Sequence, residues 1–175
     1  ALSDSAYAAV ESAAVAARAA GVLVVLDPNL RLRLAPPERW RDLIDHLAPL
    51  ADVVLVGADE IEILASENGG PQWFLARGAG RVIVKNGSAG ATETDGIAEW
   101  SVPARLVQTQ DPVGAGDAFA AGWISGWLRG LDPVARLTRA AAVASCVVAS
   151  LSDIDGLPDQ ATVDSLVFGT NDVDR

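Results

Sequence analysis

The residues with the most chemical potential lie in one run, Asp111-Pro112-Val113-Gly114-Ala115-Gly116-Asp117-Ala118-Phe119. Residues 114 to 116 carry almost no side chain, so a ligand can approach their backbone N–H groups closely. The alanine-rich stretch that follows opens a helix, whose first turn offers orphan N–H donors and partial positive charge. That combination suits an anion such as a transferring phosphoryl group. Asp117 stands where a carboxylate could take the proton of a hydroxyl beside that anion. On this ground alone two roles stay open for it, because aspartate is also a favoured helix cap.

Three other clusters carry weaker chemistry. In Val84-Lys85-Asn86-Gly87-Ser88-Ala89-Gly90-Ala91, glycines follow an apolar run. They either let the backbone lie against a ribose and its phosphates or simply form a turn. Asp27-Pro28-Asn29-Leu30-Arg31 places polar groups at the carboxyl end of a strand, where open α/β sheets bind ligands. Arg31 could fork onto a phosphate or a carboxylate, or stand on the surface beside Arg33. Gly57-Ala58-Asp59-Glu60-Ile61-Glu62 sets acids at the start of a helix, which by itself reads as a solvated helix end. Other chemistries are excluded. No Gly-x-x-x-x-Gly-Lys-Ser/Thr loop occurs, and Phe119 fills the third glycine position of a dinucleotide fingerprint. His46 is the only histidine and reads as a surface or packing residue, so Ser/His/Asp catalysis has no support. The single Cys146 rules out an internal disulfide or a Cys-rich zinc site and reads as a core thiol.

Alternating apolar runs and helical patterns must position these groups. Ser3 or Asp4 caps a predicted helix reaching Ala20, and 22–26 is a buried-type strand ending in the Asp27 segment. Pro36 and Pro37 begin a helix to about Leu50, with Trp40, Leu43, Ile44 and Leu47 at helical spacing. A second strand spans 53–56, followed by short helices over 59–66 and 72–77 and a strand over 81–85. Two short strands near 91–94 and 97–101 flank a hairpin turn at Asp95-Gly96. A strand near 105–107 leads to the Gly-Ala-Gly-Asp turn, then helices over 118–129, 133–149 and near 161–167. Trp123 and Trp127 share one face of the first of these. Strands alternating with helices predict an α/β fold with a mostly parallel sheet and helices on both faces. Residues 1–168 form the predicted domain, and 169–175 form a polar tail.

The 175 residues carry 13 Lys plus Arg against 23 Asp plus Glu, a net charge of −10. Such a chain repels nucleic acid and anionic membranes, and no basic patch with interleaved aromatics overrides this. The apolar stretch 13–26 is broken by Arg18 and Gly21 and is too short for a membrane span. A soluble cytoplasmic protein is the expectation. The chain has no Met and enters a helical pattern at once, which points to a portion of a longer protein.

The Asp111–Asp117 run resembles the C-terminal signature of the ribokinase-like (PfkB) carbohydrate kinases, usually Asp-Thr-x-Gly-Ala-Gly-Asp. The other clusters resemble further blocks of that family in the expected order, between about Gly21 and Pro158. The resemblance implies a three-layer αβα fold whose N-terminal strands and β lid are missing from this chain. It implies ATP and Mg2+ as cofactors, and a sugar or sugar acid as the small-molecule partner. It makes Asp117 the catalytic base, with the amides of Gly114, Ala115 and Gly116 as the anion hole. Asn29, Arg31, Gly57, Lys85, Gly87, Gly90, Ala91 and Ala141 would bound the nucleotide, with the strip Val102-Pro103-Ala104. Glu60 would act on magnesium through water, although Gly57 stands where the family usually has Asn or Ser.

Pro112 and the late run Asp153-Ile154-Asp155-Gly156-Leu157-Pro158 look most like 2-keto-3-deoxygluconate kinases, in which Arg31, Asp117 and Asp153 would touch the substrate. Asp-Pro-Asn-Leu-Arg-Leu is equally at home in fructokinases, the alternative. A nucleotide-binding module without catalysis and a vitamin or nucleoside kinase complete the readings. The absent lid implies little turnover by this chain alone and leaves homo-oligomerisation through that lid as an expectation.

Overall fold

The computed structural model describes residues 3–65, 69–152 and 154–169. Helix α1 (Asp4–Ala19) begins at Ser3, whose hydroxyl accepts the Ala6 amide at 3.1 Å. It closes with the Val22 amide donating to the Ala17 carbonyl at 2.9 Å. That bond completes a Schellman-type end, and it explains a correction to the expected strand. Val22 serves the helix end, and strand β1 is Val25–Leu26, preceded by Val24, whose amide donates to the Asp52 carboxylate and whose carbonyl accepts the amides of Asp52 and Val53.

Pro37 opens α2 (Pro37–Leu47) at a position where its missing N–H costs nothing. Trp40, Leu43, Ile44 and Leu47 form its buried face, as their spacing predicted. A 3-10 turn, Ala48–Leu50, leads to β2 (Val53–Gly57), then α3 (Ala58–Ala65), α4 (Gln72–Leu75) and β3 (Val82–Lys85). The strands β4 (Ala91–Thr94) and β5 (Glu99–Val102) follow, and the helices are α5 (Ala115–Leu128), α6 (Pro133–Val148) and α7 (Gln160–Phe168). The predicted strand near 105–107 does not form. Leu106 is 91% exposed there, and the Arg105 guanidinium bonds the Leu166 carbonyl at 3.0 Å instead.

The five strands form one sheet in the order β1-β2-β3-β4-β5. β1, β2 and β3 are parallel, with Val25 opposite Val53, Val54 opposite Val82 and Gly57 opposite Lys85. The chain divides into two compact units, residues 1–85 with 93–99, and residues 86–92 with 100–175.

In the first unit, β2 and β3 are apolar almost throughout and packed from both faces, as parallel strands are. Trp40, Ile44, Val54, Val56, Leu64, Phe74 and Val82 are central to its core. Arg41 donates to the carbonyls of Leu64 and Ile63 at 2.9 and 2.7 Å, satisfying the end of α3. Glu93, fully buried, is paired with Arg81 at 2.8 Å.

In the second unit, α5 and α6 approach closely because Gly122 and Gly126 face α6. A Cβ at Gly122 would lie 2.8 Å from Ala140 Cα, and one at Gly126 would lie 2.6 Å from Arg136 Cβ. Trp123 and Trp127 stack at 5.3 Å, and the Arg136 guanidinium lies over both rings. Arg139, buried, reaches Ser125 Oγ on α5 at 3.2 Å and Gln160 Oε1 on α7 at 2.7 Å.

Candidate functional site

The chemistry-bearing residues fall in both units. In the first, the ends of three parallel strands converge. Asp27 follows β1, Gly57 ends β2 and Lys85 ends β3. Lys85 Nζ lies 2.7 Å from Asp27 Oδ2, an ion pair reaching across the end of β2. The other carboxylate oxygen of Asp27 accepts the Asn29 amide at 3.2 Å, closing a short turn. Asn29, exposed, has φ 46°, the one non-glycine in the left-handed region among the described residues. Pro28 and Leu30 on either side of it are buried. Arg31 is exposed and gives one guanidinium N–H to the Leu30 carbonyl at 3.0 Å, which leaves the rest of its fork facing solvent.

Glu60 lies in the first turn of α3. Its Oε1 accepts the Leu30 amide at 2.6 Å and its Oε2 accepts the Gly57 amide at 2.8 Å. One carboxylate therefore ties the turn after β1 to the end of β2. Gly57 also matters by what it lacks, since a Cβ there would stand 2.5 Å from Asp59 Oδ1 and 3.3 Å from Glu60 Oε2. Sequence reasoning gave no partner to Asp27 and none to Glu60 within the protein. The available signal was polar residues at the ends of neighbouring parallel strands.

The second unit holds the Gly-Ala-Gly-Asp turn. Gly114 is the N-cap of α5 at φ 79°, a conformation that favours glycine. Asp117 lies three residues inside the cap, in the first turn, so it is not the capping residue. Its carboxylate is exposed and takes part in no hydrogen bond or ion pair among the described residues. The amides expected to form the anion hole, those of Gly114, Ala115 and Gly116, differ in their partners. The Ala115 amide donates to the Pro112 carbonyl at 3.2 Å, whereas those of Gly114, Gly116 and Asp117 have no acceptor among the described residues. Three unclaimed N–H groups at a helix start, beside a free carboxylate, can hold an anion and accept a proton.

The surroundings fix this turn. Asp111 Oδ1 accepts the Val113 amide at 2.9 Å, and the Gln110 amide bonds the Val148 carbonyl at the end of α6 at 2.8 Å. Ala118, next to Asp117, is buried with Val143, Val147 and Val163. In the glycine turn after β3, Gly87 is exposed and Gly90 is buried against 102–104. Ala91 begins β4, and Ala141 lies half-buried on α6. Asp153 lies outside the described residues, as do residues 170–175 of the expected tail.

The donor set was tested against the implied groups. The free amides of α5 fit a nucleotide phosphate. Both Glu60 oxygens already accept backbone amides, so any part it plays toward magnesium would run through water, with the nucleotide phosphates supplying direct oxygens. No helix among the described residues is long and apolar enough to cross a membrane.

Known proteins match the chain over most of its length. The family described as pfkB family carbohydrate kinase matches residues 1–160. The chain is 36% identical over 155 residues to the 2-dehydro-3-deoxygluconokinase of Bacillus subtilis, which covers 86% of this chain and 48% of that protein. It is 37% identical over 111 residues to fructokinase-2 of Zea mays, covering 59% and 32%. Among solved structures, a protein described as ribokinase II from E. coli, in complex with ATP and Mg2+, superposes with a TM-score of 0.83 at 26% identity. That match covers 91% of this chain and 53% of the other, and it carries the ribokinase-type fold. The chain spans about half the length or less of the curated relatives it matches. With the glycine turn, the strand-end cluster and the Asp117 turn all inside the matched residues, the chain belongs to the pfkB family of carbohydrate kinases.

Proposed function

We propose that the protein containing this chain transfers the γ-phosphate of ATP to a sugar hydroxyl, with Asp117 as the base. The observation that carries the reading is the start of α5, where the Asp117 carboxylate and the amides of Gly114, Gly116 and Asp117 share one turn and have no partner among the described residues. Asp117 takes the hydroxyl proton as the sugar oxygen forms its bond to the γ-phosphorus. The bond from phosphorus to the bridging oxygen breaks, and ADP leaves with that electron pair. The amides stabilise charge gathering on the phosphoryl oxygens, and they are fixed in place before the reaction begins. Removing one such donor from a preorganised site costs about 10²–10³ in rate.

The proposed acceptor is 2-keto-3-deoxygluconate. The likeness to the B. subtilis 2-dehydro-3-deoxygluconokinase supports it, as does the exposed Arg31, whose free N–H groups suit a sugar-acid carboxylate. Asp153 is proposed as a further substrate contact. Fructose is the second reading, favoured by the match to fructokinase-2 over 111 residues. Magnesium is proposed to enter with the nucleotide phosphates, and no step above passes through it. The relatives extend well beyond the matched span, so this chain alone is expected to bind sugar poorly and turn over little.

The test is ADP release by the protein carrying all the sequence its relatives share, with 2-keto-3-deoxygluconate, fructose and ribose as acceptors. Turnover with the first, lost by at least 10³-fold in Asp117→Asn with ATP binding retained, is the expected result. Near-normal turnover in Asp117→Asn would remove the assigned base. ATP binding with no transfer to any sugar would leave a nucleotide-binding module.

A further inference from the structure

The turn carrying Asn29 and Arg31 is held from two sides by Lys85 and Glu60, for which the family resemblance implied ligand roles. Asp27 is anchored by Lys85 at 2.7 Å, with the two side chains only 25% and 18% exposed. Leu30, three residues on, is anchored by Glu60 at 2.6 Å. Between the anchors Asn29 adopts φ 46°, a left-handed conformation that asparagine tolerates better than other non-glycine residues. Each anchor reaches a different neighbouring strand. Lys85 belongs to β3, and Glu60 is itself fixed to Gly57 at the end of β2.

We propose that Asp27, Lys85 and Glu60 are positioning residues: they hold the Asn29–Arg31 turn in one conformation, and Lys85 acts through Asp27 rather than on the nucleotide. The proposal rests on the kinase reading only in taking Asn29 and Arg31 as the groups that face ligand. The chemistry favours it. A lysine whose ammonium is mostly screened from water and already paired with a carboxylate loses that pairing if it turns to a phosphate, and Asp27 is left without its counter-charge. A carboxylate accepting two backbone amides is likewise committed to the backbone, with geometry that fixes both donors.

A double-mutant cycle on this chain decides between positioning and direct contact. The variants are Asp27→Asn, Lys85→Met, their combination, Lys85→Arg and Glu60→Gln. Asp27→Asn is nearly isosteric and preserves the fold if Lys85→Met does not. The first readout is NMR of the backbone amides with hydrogen exchange. Positioning requires that Asp27→Asn and Lys85→Met shift the same amides, those of Asn29, Leu30 and Arg31, and speed their exchange about fivefold or more. The double variant should do no more than Lys85→Met alone, and Lys85→Arg should restore the wild-type pattern. Glu60→Gln should move Leu30 and Gly57 together. Unmoved Asn29–Arg31 amides in Lys85→Met, or strictly additive effects, would overturn the proposal.

The second readout is ATP affinity by calorimetry, with unfolding midpoints measured alongside. Positioning predicts that Asp27→Asn, Lys85→Met and the double variant weaken ATP by one common factor while each stays folded at the assay temperature, even where the midpoint falls. If Asp27→Asn leaves ATP binding intact or tighter while Lys85→Met abolishes it, Lys85 touches phosphate and the proposal fails. A wild-type protein carrying all the sequence its relatives share, with the coupled amides but no ATP binding, would refute the nucleotide reading and leave the positioning assignment standing.

Discussion

Replacing Gly90 with alanine is the sharpest stability test that the structure offers. Gly90 has φ 101° and ψ −142°, a region reserved for glycine. A Cβ there would lie 2.1 Å from the Val102 carbonyl oxygen and 2.8 Å from both Ala104 N and Pro103 C. All three are backbone atoms, so no side-chain rotation relieves the overlap. The conformational penalty of about 1–3 kcal/mol adds to an overpacking penalty of about 1–3 kcal/mol. A loss of about 4 kcal/mol, with a urea slope of about 2 kcal/mol per molar, lowers the midpoint by about 2 M. Gly87, three residues earlier, is the internal control. It has φ 56°, yet nothing lies within 4 Å of its would-be Cβ. Gly87→Ala bears only the left-handed penalty of about 1–2 kcal/mol, so its midpoint should fall by about 0.5–1 M. Urea unfolding followed by tryptophan fluorescence measures both, because Trp100, Trp123 and Trp127 lie in the same unit. Equal midpoints for the two variants would show that the turn is not packed on residues 102–104, and the reasoning would fall.

Three further outcomes are expected. Gly122→Val should lower the thermal midpoint through a loss of about 1–3 kcal/mol, because its Cβ would press on Ala140 Cα; a neutral result by circular dichroism would contradict the close approach of α5 and α6. Arg139→Ala should cost about 2–4 kcal/mol by removing the bonds to Ser125 and Gln160, whereas Arg129→Ala, at an exposed helix end, should be near neutral in the same melt. The Asp95 carboxylate is held below its ordinary value of 3.8 because it accepts the amides of Ala98 and Ile97. A depressed folded value means stability that is present above the unfolded value and lost as pH falls through the folded one. Urea midpoints should therefore drop below about pH 4 and drop less steeply in Asp95→Asn; identical slopes would remove Asp95 from the acid transition.

The sequence by itself determined most of the elements. The short apolar runs at β2 and β3, bounded by polar residues and glycine, read as buried parallel strands, and the spacing of Trp40, Leu43, Ile44 and Leu47 reads as one helix face. The Gly-Ala-Gly-Asp run was legible because small residues before a helix are a local matter, decided by backbone sterics within a few residues. Local pattern erred where a residue served two neighbours. Val22 was taken by the end of α1, and residues 105–107 had apolar character without a strand beside them.

Only the tertiary structure decided what the charged groups do. Asp27 and Lys85 are 58 positions apart, and Glu60 lies 30 from Leu30. Their pairing exists because parallel strands bring their carboxyl ends side by side. It also took the three-dimensional structure to place Asp117 inside the first turn of α5 rather than at its cap, with no partner for its carboxylate among the described residues. A sequence lists the groups capable of chemistry. Which of them are already satisfied by the protein, and which remain for a ligand, depends on distances that only folding sets.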